Sequence, residues 1–167
     1  MSTKKPHIEV TALNPDFALK KKLGPDVSIR DAFTDDVVAA AEDMIEVSKK
    51  DFFGDAIKDL HSMEDAYVYA NKSPKESKPH IDEIARKAFS MKGQSETLGF
   101  DLLSLASKSL YDFCTKTFRA GDKEQLIVVR KHLDTLKVII KEKMQGDGGL
   151  IGKELIKSLQ LLTRKYQ

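Results

Sequence analysis

From residue 34 onward the chain repeats one pattern: apolar or small residues three and four apart, separated by charged ones. Val37, Ala41, Met44, Ser48, Phe52, Ala56, Leu60, Met63, Tyr67 and Ala70 keep this spacing, which predicts one long helix or two helices broken near Gly54. Thr34 followed by Asp35 and Asp36 reads as its N-cap and acidic first turn. Residues 71–79 hold two prolines, two serines and three lysines, so they read as a loop. A second helix is predicted over residues 80–93, with Ile81, Ile84, Ala85, Ala88 and Met91 on its apolar side and Gly93 or the polar stretch behind it as terminator. A third covers residues 98–118, with Leu103, Ala106, Leu110, Phe113 and Cys114 in register, and Gly121-Asp122 breaks it. A fourth covers residues 123–144 along the seam Leu126, Val129, Leu133, Leu136 and Ile140. After the break at Gly146-Asp147-Gly148-Gly149, a last amphipathic helix aligns Ile151, Leu155, Leu159, Leu162 and Tyr166.

Short links between amphipathic helices favour antiparallel neighbours. No alternating run supports a sheet, and no internal repeat is present. The first 33 residues carry Pro6, Pro15, Gly24 and Pro25 around two short apolar clusters, Ile8 to Val10 and Phe17 to Leu19. They read as an arm, extended with one short helix, laid against a helical body formed by residues 34–167. The fold class expected is all-α.

Composition narrows the function. The chain has 167 residues with 28 basic and 26 acidic side chains, a formal net charge of +2. A nucleic-acid binder held by many phosphate contacts needs a clearer basic excess or stripe, and the lysine runs at residues 20–22 and 49–50 sit beside acids. The expectation is no nucleic-acid partner. Cys114 stands alone, which excludes an internal disulfide and a Cys-rich zinc site. Its place on an apolar face makes it a small buried hydrophobe. No N-terminal stretch has the form of a signal peptide and no run approaches the roughly 20 apolar residues of a membrane span, so a cytoplasmic protein without membrane attachment is expected. The four histidines, His7, His61, His80 and His132, are scattered. They suggest no metal, and no combination of nucleophile, base and oxyanion donor points to an enzyme.

The stretch that carries functional information runs Ile84-Ala-Arg-Lys-Ala-Phe89-Ser90-Met-Lys92-Gly93-Gln94-Ser-Glu-Thr-Leu-Gly99-Phe100-Asp-Leu102. It resembles the signature of histidine-containing phosphotransfer (HPt) domains, in which one helix carries His-x-x-Lys-Gly and a glycine step opens the next. In particular it resembles an alphaproteobacterial group reading approximately His-Asp-Leu-Lys-Gly-Gln and then Phe-Gly-Tyr-Pro-Leu. The long preceding helix, the Arg130-Lys131-His132-Leu133 stretch and Gly146-Asp-Gly-Gly extend the resemblance to about residues 8–165.

The resemblance implies an antiparallel four-helix bundle with an N-terminal arm and an extra C-terminal helix. It also implies a partner: a response-regulator receiver domain or a histidine kinase. In the family the histidine accepts a phosphoryl group from an aspartyl phosphate, the lysine one turn on neutralises phosphoryl charge, and the glycine lets the receiver's loops come close. Lys92 and Gly93 match the last two. Phe89 takes the place of the histidine, and a phenyl ring has no lone pair with which to hold phosphorus.

The alignment therefore implies a signalling protein that docks without carrying phosphate, through Phe89, Ser90, Lys92, Gly93, Gln94 and Gly99. It implies no cofactor, and it leaves the oligomeric state open. Each residue also has a plainer reading. Phe89 lies about 100° from the centre of its helix's apolar arc, on the flank, where it is either core edge or docking hot spot. Lys92 is otherwise a surface lysine, and Gln94 and Gly99 are otherwise helix-terminating residues. Ser90 has no base beside it. Two alternatives stand: phosphotransfer through another histidine, His80 or His132, or a purely structural or oligomerisation module. Against the first, His80 lies nine residues before Phe89, on roughly the opposite helix face. His132 beside Leu133 reads as a hydrogen-bonded structural histidine.

Overall fold

The computed structural model describes residues 35–166. The expected N-terminal arm, its apolar clusters, His7 and the Thr34 cap lie outside the described residues. The described residues are all-helical, with no strand among them. In order they form α1 (Asp35–Lys72), a 3₁₀ turn (Pro74–Glu76), α2 (Lys78–Thr97), α3 (Asp101–Asp112), a π-helical turn (Phe113–Thr117), α4 (Lys123–Lys141) and α5 (Gly149–Arg164). Two compact units divide the chain between Met44 and Ile45. The first contributes only the start of α1 to the described residues; the second, Ile45–Gln167, contains the core. No described helix is long and apolar enough to cross a membrane.

The long first helix is continuous through Gly54. Its stripe is buried at Phe52, Ala56, Leu60, Met63 and Ala70. Val37, Ala41, Met44 and Ser48, which the spacing assigns to the same stripe, are exposed. α1 has 38 residues, and its second half is bridged to α2 and α4, of 20 and 19 residues. Lys87 on α2 meets Asp59 at 2.6 Å and Lys137 on α4 meets Glu64 at 2.9 Å, both from the second half of α1. Phe52 stacks on Phe100 at 5.4 Å between ring centres, and Phe53 meets Phe100 edge-on at 4.8 Å.

The predicted bounds of α2 and α3 move. α2 starts at Lys78, with Pro79 in its first turn, and runs through Gly93 to Thr97. A glycine inside a helix costs about 1 kcal/mol relative to alanine, too little to stop a helix that buries Ala88, Met91 and Ser95 on either side of it. Gly99 is the terminator, because its φ of +78° is open to glycine at no steric cost. The Phe100 amide donates to the Ser95 carbonyl and the Gly99 amide to that of Glu96, a Schellman pair that satisfies two orphan carbonyls. α3 then starts at Asp101 rather than Leu98 and gives way at Phe113 to the π-helical turn, where the Phe118 amide donates to the Phe113 carbonyl at 2.9 Å.

α4 starts where expected. Asp122 is its N-cap, its Oδ1 accepting from the Gln125 amide at 3.1 Å. Asp122→Ala should therefore lower stability by about 1 kcal/mol in chemical denaturation. The predicted α4 seam is buried throughout, but the helix ends at Lys141, three residues early. On α5 the buried line is Gly152 and Leu159, with Leu155, Ile156 and Tyr166 packed beside them. Ile151 and Leu162, assigned to that line from spacing, are exposed. The preceding glycine turn packs against the start of α3. The Gly146 carbonyl accepts from the Leu102 amide at 2.8 Å, so the turn caps the start of α3. Gly148, at φ +68°, lies against the Leu102 side chain.

Candidate functional site

α2 and α3 are joined by a tight reversal at Gly99, so residues similarly far from it on the two helices meet. Phe89 and Tyr111 are such a pair, with ring centres 5.2 Å apart and planes tilted by 47°. Phe89 is 58% exposed. Its helix buries Ile81, Ile84, Ala85, Ala88 and Met91, and the phenyl ring stands off that arc, leaning on Tyr111 with most of its surface outward. At roughly 100° per residue, Asp82, Arg86, Lys92, Gly93 and Glu96 all fall within about 60° of Phe89 on α2. Phe89, Lys92 and Gly93 thus share one face.

Gly93 has no packing reason to be glycine. A Cβ there would meet nothing within 4 Å, and the backbone is ordinary helix. Alanine would favour the helix by up to about 1 kcal/mol. Lys92 is half-buried along its stem, and its Nζ lies 2.8 Å from Glu96 Oε2. Ser90 and Gln94 are exposed and bonded to each other, Gln94 Nε2 donating to Ser90 Oγ at 3.0 Å. Gly99 sits in the reversal and is fully accounted for by the Schellman geometry.

Beside Tyr111, Asp112 accepts from Lys108 at 2.6 Å and lies 2.7 Å from Lys116. Burial works to raise the Asp112 carboxyl, but the two ammonium groups outweigh it and hold it below its ordinary value. Sequence reading passed over Tyr111, Glu96 and this lysine–aspartate–lysine group. The four-residue spacings of Lys92 to Glu96 and of Lys108 to Asp112 to Lys116 were the available signal.

The histidines occupy other environments. His132 is 0% exposed. Its Nδ1–H donates to the Val128 carbonyl at 2.9 Å, which leaves Nε2 to accept from Ser109 Oγ at 3.0 Å. Phe113 stacks beside it with ring centres 6.0 Å apart. Burial lowers its pKa from the usual value, against an opposing contribution from the Val128 bond. The unfolded chain protonates this ring near pH 6.5 and the folded protein only at lower pH. The stability that a neutral His132 contributes is therefore complete above about pH 6.5. It is lost as pH falls from there through the lower folded value. Thermal melts from about pH 8 to about pH 5 should show Tm falling on the acid side, with the slope reduced in His132→Gln.

His80 is half-buried and stacks on Tyr69, centre to centre 5.5 Å. His61 is exposed on α1. Burial pushes the Cys114 thiol up to about 12, so it stays protonated and unreactive at neutral pH. Among the described residues, no three His, Cys, Asp or Glu side chains gather as a metal site. Comparison with protein-family models, with curated proteins and with solved structures finds no match.

Proposed function

We propose that this chain is an HPt-like signalling protein of a two-component pathway, cytoplasmic and noncatalytic, that docks a receiver domain or a histidine kinase without carrying phosphate. In this reading the second half of α1 with α2, α3 and α4 forms an antiparallel four-helix bundle, and α5 is an added helix. The Lys87–Asp59 and Lys137–Glu64 bridges and the shared core support that arrangement. The docking face is Phe89, Ser90, Lys92, Gly93 and Gln94, with Gly99 shaping its lower edge.

One observation carries the reading: the residue in the acceptor's place is a large apolar ring held mostly in solvent, next to a helix glycine that its own fold does not need. An exposed aromatic ring beside an uncrowded stretch of helix suits a docking contact, since interface cores are enriched in aromatic residues. Such a protein acts by occupancy, competing with a phosphorylatable relative or holding a response regulator in one state.

Gly93→Leu separates docking from folding. It replaces a poor helix former where there is space, so thermal stability should rise slightly; it also places a bulky side chain on the face, so receiver binding should be lost. Unchanged binding in Gly93→Leu and in Lys92→Glu would remove the reading.

Phosphotransfer through His132 would need an exposed ring nitrogen, whereas both of its nitrogens are engaged inside the core. A structural or oligomerisation role draws on a specific feature of α5, where Leu150, Ile151 and Leu161 are exposed at 83%, 67% and 60%. A dimer in analytical ultracentrifugation that Leu161→Lys disperses, together with a chain that binds no receiver, would favour it.

A further inference from the structure

α5 has two faces. Its inward line, Gly152, Leu155 and Leu159, lies against the core, with Gly152 close to Leu102 of α3. At about 100° per residue, Leu150, Glu154, Lys157 and Leu161 fall within about 60° of one another on the side away from that line. All four are exposed, and none of the described elements covers them. Their steps of four, three and four residues are those of a helix–helix seam. The outward side of α5 thus carries a seam for which the described fold holds no second helix.

We infer that α5 pairs with the α5 of a second copy of this chain, antiparallel, about a two-fold axis between Glu154 and Lys157. The order of the seam, Leu-Glu-Lys-Leu, is its own complement in that arrangement. Leu150 meets the second copy's Leu161 at each end, and Glu154 meets the second copy's Lys157 on either side of the axis. A two-fold contact asks for this reciprocity, in which residue i touches j and j touches i. A parallel pair would instead set Glu154 against Glu154 and Lys157 against Lys157, so the charges select the direction as well as the partner. Within one helix Glu154 and Lys157 stand 3.8 Å apart, a loose exposed pair that a pair across the axis replaces at little cost. Ile151 and Leu162, each about 100° on from its leucine, are also exposed and add an apolar edge along one side of the seam. Lys153 and Arg164 form the other edge, where long stems cover apolar surface while the charges stay in water. No seam residue lies on α2, so the pairing holds whether or not the face around Phe89 docks a receiver domain.

The test is sedimentation equilibrium of the full chain with a set of charge reversals. The wild type should show a monomer–dimer equilibrium with a Kd of roughly 10 to 100 μM, because one pair of 16-residue helices covers less area than a standard interface. Glu154→Lys and Lys157→Glu each set like charges together twice across the axis, and each alone should weaken the dimer roughly tenfold or more. An equimolar mixture of the two variants should restore it as a heterodimer. The double variant, which exchanges the two charges, should dimerise as the wild type does. Circular dichroism checks that each variant is folded, as expected for substitutions at exposed positions. A chain that is monomeric throughout gives this face to some other occupant and overturns the inference. So does a dimer that neither charge reversal weakens, or one that mixing the single variants fails to restore. Docking at Phe89 is read separately, by receiver binding, and none of these outcomes decides it.

Discussion

Under the docking role proposed above, replacing Phe89 with alanine should weaken binding to a receiver domain by about 2 kcal/mol, roughly 30-fold in Kd. The same substitution should change folding stability by only about 0.5 to 1.5 kcal/mol. The asymmetry follows from geometry. Within the fold, the ring has one described aromatic partner, Tyr111, and the helix beneath it is fixed by Ile84, Ala85, Ala88 and Met91, all buried without its help. On docking, the exposed majority of the ring would be covered, and the surrounding ion pairs would form the solvated rim that excludes water from the centre. Phe89→Tyr keeps the apolar body and should retain most of the affinity. Titration calorimetry alongside thermal melts of both variants separates the two effects. A large stability loss in Phe89→Ala would mean that the ring serves the core.

The second large effect is structural. Gly152→Ala should destabilise the protein by about 3 kcal/mol, the upper part of the range for overpacking. A Cβ there would lie 3.1 Å from Leu102 Cδ2 and closer still to the Asp147 carbonyl oxygen. A flexible side chain could move aside, but the carbonyl belongs to the turn whose Gly146 oxygen caps the Leu102 amide. Relieving the clash therefore disturbs the start of α3 as well as α5. Hydrogen exchange should show loss of protection in α5 and at the first turn of α3, with α2 and α4 affected only through global stability.

Much of the fold was legible because helix periodicity reports which residues are buried. The stripes assigned to α2, α3 and α4 are all in the core. Legibility failed at the start of α1, where Val37 and Met44 are exposed although their spacing places them on the stripe, since spacing reports a face and not its burial. On α5 it held for Leu155, Leu159 and Tyr166 and failed for Ile151 and Leu162, which are exposed. Gly93 was read as a possible terminator although the terminator is Gly99. Only a positive φ distinguishes the two, and that is a property of the folded chain.

In the candidate site, the sequence supplied the short run from Phe89 to Gln94 by resemblance and placed Phe89 on a helix flank by geometry. It could not supply Tyr111, which reaches Phe89 only through the α2–α3 reversal. Nor did it weigh Glu96, whose pairing with Lys92 alters what that lysine can do. His132 illustrates the reverse: its plain reading as a hydrogen-bonded structural histidine needed only its place beside a core leucine, and its partners Val128 and Ser109 lie within the described core.

The most direct measurement mixes the full chain with phosphorylated and unphosphorylated receiver domains of its own organism, following both phosphoryl label and complex formation. The account predicts no acid-labile phosphate on the chain at any time, together with a measurable complex with one receiver that Phe89→Ala weakens. Acid-labile label on the chain, mapping to a histidine and lost in the matching His→Ala variant, would contradict it.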